Sequence, residues 1–223
     1  MSGLRLVGAA EAADLGSFLG RVVALDPAAV VRLRSVGERV TAYARLPFGV
    51  LVSRTVGGAG DPADVTVGAG DLLAALDPAR PGSPGRESSS RGEVLAVGWP
   101  GRRDVDWRAA LPPVDGWVRL DSVPGDVVRG LVRAGRETLR AVPAGAAAAA
   151  GESLLDHESL TVTGAGRTAV LPLRVLGSLT RMGFVGAGVE PVVVSVAAGW
   201  TRLAGPYGSA YQHTVPGLAI SPR

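Results

Sequence analysis

The sequence predicts a mixed α+β protein in which an N-terminal helix plus antiparallel β-meander is joined by a linker to a larger C-terminal α+β unit. Three observations predict it. Short β-rich runs separated by two- or three-residue breaks occupy the first quarter, the pattern of hairpin-connected strands. Apolar residues at helical spacing recur at residues 9–25, 124–142 and 172–182. Residues 78–92, PARPGSPGRESSSRG, contain no large apolar side chain and read as a disordered linker or long loop. The expected division is 1–77, 78–92 and 93–223.

Composition sets the limits. Of 223 residues, 47% are hydrophobic and 19% charged, enough apolar surface for a buried core. Aromatics make up only 4%, so Val, Leu and Ala must fill that core. All 23 basic residues are Arg; Lys, Asn and Cys are absent, and the formal net charge is +3. This bias matches a GC-rich coding sequence. The mild excess of charge is far from that of a polycationic tail. The first residues lack the apolar stretch of a signal peptide, and no run approaches the roughly 20 residues of a membrane span. A cytoplasmic protein without membrane association is expected.

The first helix spans residues 9–25, with Ala10, Ala13, Leu15, Phe18, Leu19 and Val22 in phase. Asp26-Pro27 stops it, because the residue before proline is driven out of the α region. Residues 30–36, 39–46 and 50–56 form the meander. In the second of these runs Arg39, Thr41, Tyr43 and Arg45 alternate with Val40, Ala42, Ala44 and Leu46, so one face is wet and the other buried. The glycine-rich stretch 57–62 reads as a flexible break. Residues 65–67 read as a strand, and 71–76 as a helix capped by Asp71. Residues 94–97 and 117–120 are further strands. Pro124 opens the helix that runs to Val142. Residues 144–151 read as an Ala/Gly connector and 152–156 as a short helix. A hairpin is expected at 160–162 and 168–171, then a buried helix from Pro172 to Met182 and strands at 192–196 and 200–203. A tail frayed from Thr214 completes the expectation.

Missing residue types exclude whole chemistries. Without Lys there is no Walker A loop, pyridoxal phosphate Schiff base or protein-kinase site. Without Cys there is no thiol nucleophile or Cys-based zinc or iron–sulfur site. His157 and His213 are the only histidines. His157-Glu158 starts an HExxH pattern that fails at Thr161, and no Gly-x-Gly carries the third glycine of a dinucleotide fingerprint. No cofactor and no metal site is expected. The cluster Asp156, His157 and Glu158, with Ser153 and Ser159 beside it, leaves a carboxylate or His–carboxylate enzyme as one alternative.

The sharper feature is a stripe of arginines. Arg129, Arg133, Arg136 and Arg140 fall within an arc of roughly 60° on a helical wheel. Pro124, Val128, Leu131, Gly135, Leu139 and Val142 lie opposite. Such a stripe can track phosphates or pair with a carboxylate-rich surface. Arg32, Arg34, Arg39, Tyr43 and Arg45, with Arg54, form a second basic candidate on the meander. The leading expectation is a non-catalytic intracellular binding or regulatory protein that uses the arginine-bearing helix. Its partner would be an acidic protein, a second copy of the chain, or nucleic acid, the last making it a nucleic-acid-binding protein.

Two further patterns stand out. Gly116-Trp117-Val118-Arg119-Leu120 is echoed by Gly199-Trp200-Thr201-Arg202-Leu203, as a duplicated strand would be or as Arg stacking on a neighbouring Trp would require. Pro112 to Val128, Leu179 to Phe184 and Ala204 to Tyr211 resemble a family of actinobacterial proteins of unknown function, most clearly in the C-terminal half. That resemblance implies an intracellular protein and carries over no active site.

Overall fold

The computed structural model describes residues 2–77, 85–89 and 92–213. The chain forms two compact units, Met1–Ala110 and Leu111–Arg223, each built of antiparallel strands and helices.

The first unit contains β1 (Gly3–Val7), α1 (Gly8–Leu25), β2 (Val30–Val36), β3 (Arg39–Arg45), β4 (Leu51–Asp61), β5 (Asp64–Gly68), α2 (Ala69–Ala75), β6 (Gly85–Ser89) and β7 (Gly92–Val97). The meander expected from the sequence is present: β2 pairs β3, and β3 pairs β4, both antiparallel. β5 joins on the far side of β2. α1 and α2 pack on each other. Leu15, Phe18, Leu19 and Val22 of α1 are buried, as are Leu33, Val40, Ala42, Ala44, Val52 and Val56 of the meander.

The glycine-rich stretch 57–62 is not a break. β4 continues through it to Asp61 and changes partner on the way. Residues 51–57 pair with β3, and residues 58–61 pair with β1. Glycine permits the change because β1 comes in very close. A Cβ on Gly58, whose φ is +159°, would sit 2.3 Å from the Arg5 carbonyl oxygen. Glu11 on α1 accepts a hydrogen bond from the Gly57 amide at 2.8 Å, which ties the crossing to the helix.

Residues 85–89, inside the expected linker, are strand β6, paired antiparallel with β7. The rest of the expected linker except Gly92, which begins β7, lies outside the described residues. The two units meet at Ala110/Leu111, not at 78–92. The second helix also differs from expectation. It begins at Ala69, and Asp71 sits in its first turn without capping it.

The second unit contains β8 (Val118–Val123), α3 (Gly125–Arg140), α4 (Ala147–Asp156), β9 (Glu158–Gly164), β10 (Arg167–Pro172), α5 (Leu173–Arg181), β11 (Val192–Ala197), β12 (Trp200–Gly205) and β13 (Gly208–His213). Within it, β8, β11, β12 and β13 are hydrogen-bonded in that order, and β9 and β10 form the expected hairpin. α3 packs on α5, and α4 touches both. Val192, Val194, Leu203 and Ala210 of the sheet are buried, together with Val128, Val132, Val175, Leu176, Leu179 and Met182 of the helices. The Ala/Gly stretch expected as a connector is mostly α4, since a run of alanines has the highest helix propensity. The tail from Thr214 lies outside the described residues.

Candidate nucleic-acid interface

α3 owes its position to its apolar stripe. Val128 and Val132 are buried, as is Gly135. The glycine lets α5 approach: a Cβ there would lie 2.4 Å from Leu173 Cδ2. Asp126 stands in the first turn and Arg140 in the last, both matched to the helix dipole. With one side locked against α5, the opposite side faces solvent.

The four stripe arginines do not share one environment. Arg129 is half-buried and donates to the carbonyl oxygens of Gly186 and Gly188, the latter at 2.9 Å. It ties the loop before β11 to the helix. Arg133, Arg136 and Arg140 are exposed. Among the described residues none of the three takes part in an ion pair or side-chain hydrogen bond. They span about 10 Å along the axis, at 1.5 Å per residue.

The second basic candidate is partly neutralised, at Arg32, Arg34 and Arg54. Arg32 grips Asp64 with two hydrogen bonds, 2.7 and 2.8 Å. Arg34 approaches the same carboxylate at 3.5 Å. The bond to Asp64 raises the pKa of Arg32 against the opposing effect of burial. Arg54 sits opposite Ala42 in the register, on the other side of the sheet from Arg32, which pairs with Tyr43. It pairs with Asp14 of α1. The six residues of the sequence candidate therefore do not form one surface.

A segment after β7 crosses the open edge of β5. The Thr66 amide donates to Asp104 at 2.7 Å, the Arg103 amide donates to the Thr66 carbonyl at 2.8 Å, and Arg102 pairs with Asp104 at 2.7 Å. The Thr66 amide is the largest influence holding the Asp104 carboxyl below the usual carboxylate range; burial opposes it and Arg102 assists.

The Asp156–Glu158 cluster is a polar turn between α4 and β9. Asp156 pairs with Arg174. His157 is exposed, and its carbonyl accepts from the Leu173 amide at 3.0 Å and Ser159 Oγ at 3.1 Å. Among the described residues no three His, Asp or Glu side chains gather as a metal site, and no helix is long and apolar enough to cross a membrane.

The echoed pentapeptides take up matching places. β8 and β12 flank β11 on its two sides, and Arg119 and Arg202 both lie opposite Ser195. The stacking is crossed rather than local: the Arg202 guanidinium lies 4.5 Å from the ring centre of Trp117, the tryptophan of the other copy. Trp117 also meets Tyr211 at 6.0 Å, and Trp200 meets His213 at 4.6 Å. Sequence reasoning missed this aromatic cluster because Tyr211 and His213 belong to β13, a strand it did not identify.

The fold resembles that of the sliding clamps. It is similar to the Caulobacter crescentus beta sliding clamp at TM-score 0.55 and 15% identity, covering 100% of this chain and 68% of that one. It is also similar to the Bacillus subtilis DNA polymerase sliding clamp, at 0.57 and 12%, covering 100% and 67%. A third is the beta subunit of Streptococcus pyogenes DNA polymerase, at 0.56 and 13%, covering 99% and 66%. No curated protein matches the chain by sequence. Residues 1–97 match the family described as Domain of unknown function (DUF8010), and residues 112–217 match Domain of unknown function (DUF8185). Together the two matches account for most of the chain.

Proposed function

We propose that the protein is a non-catalytic nucleic-acid-binding protein that holds the phosphate backbone of duplex DNA with Arg133, Arg136 and Arg140. The observation that carries this reading is the solvent-facing side of α3, where three guanidinium groups align with no acidic partner among the described residues. Backbone contacts of this kind give affinity without sequence choice. The fold supports a DNA-related role, because its structural neighbours are described as DNA polymerase sliding clamps.

A labelled duplex titrated at low salt, followed by fluorescence anisotropy, tests the reading. The chain binds, and replacing Arg133, Arg136 and Arg140 together by Ala abolishes most of the binding. Failure of the unaltered protein to bind, or unchanged binding by the triple variant, overturns it. Arg129 is left intact in this design because it holds the loop before β11.

A further inference from the structure

The first unit offers a second and independent site. Beyond Asp104 the segment that crosses β5 overhangs the wet side of the meander. Residues 103 and 106–109 enclose an open pocket of about 210 Å³ together with Asp26, Ala28–Val30 and Arg45. We propose that this pocket binds a small aromatic anion, a single ring bearing a phosphate or a carboxylate.

The charges of the lining decide the sign of the ligand. Arg103 is taken by Asp106 at 2.6 Å. Asp26 accepts from the Ala28 amide at 2.9 Å. Asp26 still carries its charge, but the two remaining guanidinium groups, those of Arg45 and Arg108, outnumber it. Both are exposed, and among the described residues neither makes an ion pair or a side-chain hydrogen bond. Together they favour an anionic group, which guanidinium recognises through paired N–H donors.

The rest of the lining decides the shape. Trp107 is half-buried, and its indole N–H already donates to the Ala109 carbonyl. The ring therefore has no donor left and offers apolar surface, continued by Ala28, Ala29 and Ala109. An aromatic ring suits such a wall, since ring pairs gain beyond their buried area. Size suits a small ring. The volume holds about seven waters at roughly 30 Å³ each and lies under the ~300 Å³ at which drug-sized sites begin.

Calorimetric titration of the full chain with phenyl phosphate, benzoate and inorganic phosphate tests the proposal. Saturable binding of phenyl phosphate or benzoate is expected, the tighter of the two assigning the anionic group. Arg45→Ala/Arg108→Ala weakens that ligand about tenfold or more, and Trp107→Leu weakens it while leaving inorganic phosphate unchanged. The triple α3 variant binds it as the unaltered chain does, which separates this site from the DNA reading. No saturable binding of either aromatic anion overturns the proposal, as does unchanged affinity in the double arginine variant. Equal affinity for inorganic phosphate and phenyl phosphate, insensitive to Trp107→Leu, overturns it too.

Discussion

Arg32, Arg34 and Arg54 of the meander and the outer arginines of α3 read alike in the sequence, yet the fold treats them in opposite ways. Arg32 and Arg34 converge on Asp64, delivered by the adjacent strand β5, and Arg54 meets Asp14, delivered by α1. Arg133, Arg136 and Arg140 receive no such partner among the described residues, because α3 turns its other side to α5. The difference teaches that the meaning of a charge run is set by topology. A strand inside a sheet can meet a carboxylate from an adjacent strand, as Arg32 and Arg34 do, whereas a helix packed along one side keeps the opposite side open.

The largest expected effect breaks the comparison on its functional side. Reversing the stripe with Arg133→Glu/Arg136→Glu/Arg140→Glu should lower duplex DNA affinity at low salt by about 100-fold or more. The thermal midpoint should stay within experimental error, since the three side chains are exposed; a large drop in midpoint would mean that they hold the fold.

Next comes the packing that exposes the stripe. Gly135→Val places a branched side chain where Leu173 already lies 2.4 Å from the site of the new Cβ. Overpacking of this kind costs about 1–3 kcal/mol, read as a lower midpoint in chemical denaturation. No loss would mean that α3 and α5 are free to separate.

A smaller effect tests the neutralised surface. Asp64→Ala leaves Arg32 and Arg34 unpaired and should cost about 1 kcal/mol or less, because the carboxylate is 41% exposed and solvent screens the pair. The same change should strengthen DNA binding by the charge-reversed triple variant at low salt. If it does not, the missing partner is not what distinguishes the two surfaces.

The smallest effect concerns acid. The Asp104 carboxyl is lowered in the folded state, so its contribution is complete above the ordinary carboxylate pKa of about 3.9. It is lost as pH falls through the lower folded value. Asp104→Asn should therefore flatten the loss of stability below about pH 4, measured as denaturation midpoint against pH. An unchanged slope would show that the bond from Thr66 does not depend on the charge.

Much of the fold was legible because periodicity and punctuation agreed. Alternation in residues 39–46 identified β3 and its buried side, and Pro124 with the Val128, Leu131 and Gly135 spacing identified α3. What failed was local reading of glycine. Residues 57–60 look flexible, yet they serve a strand exchange that depends on β1, far away in sequence. Gly85–Ser89 looks like linker, yet it pairs with β7, and pairing is not written in composition. The arginine stripe was visible as a set of four, but nothing in the sequence shows that the 186–188 carbonyls claim Arg129. Nor could it show that Arg54 falls on the opposite side of the sheet from Arg32. The cluster around Trp117 and Arg202 was half visible in the repeated pentapeptide, and its crossed stacking needed the order of β8, β11 and β12.

The salt dependence of duplex DNA binding tests the central claim most directly. Each phosphate contact contributes about 0.9 to the slope of log affinity against log salt. Removing Arg133, Arg136 and Arg140 should therefore reduce the magnitude of that slope by roughly 2.7. An unchanged slope, or binding that does not respond to salt, would contradict the assignment of this helix as the DNA-facing surface.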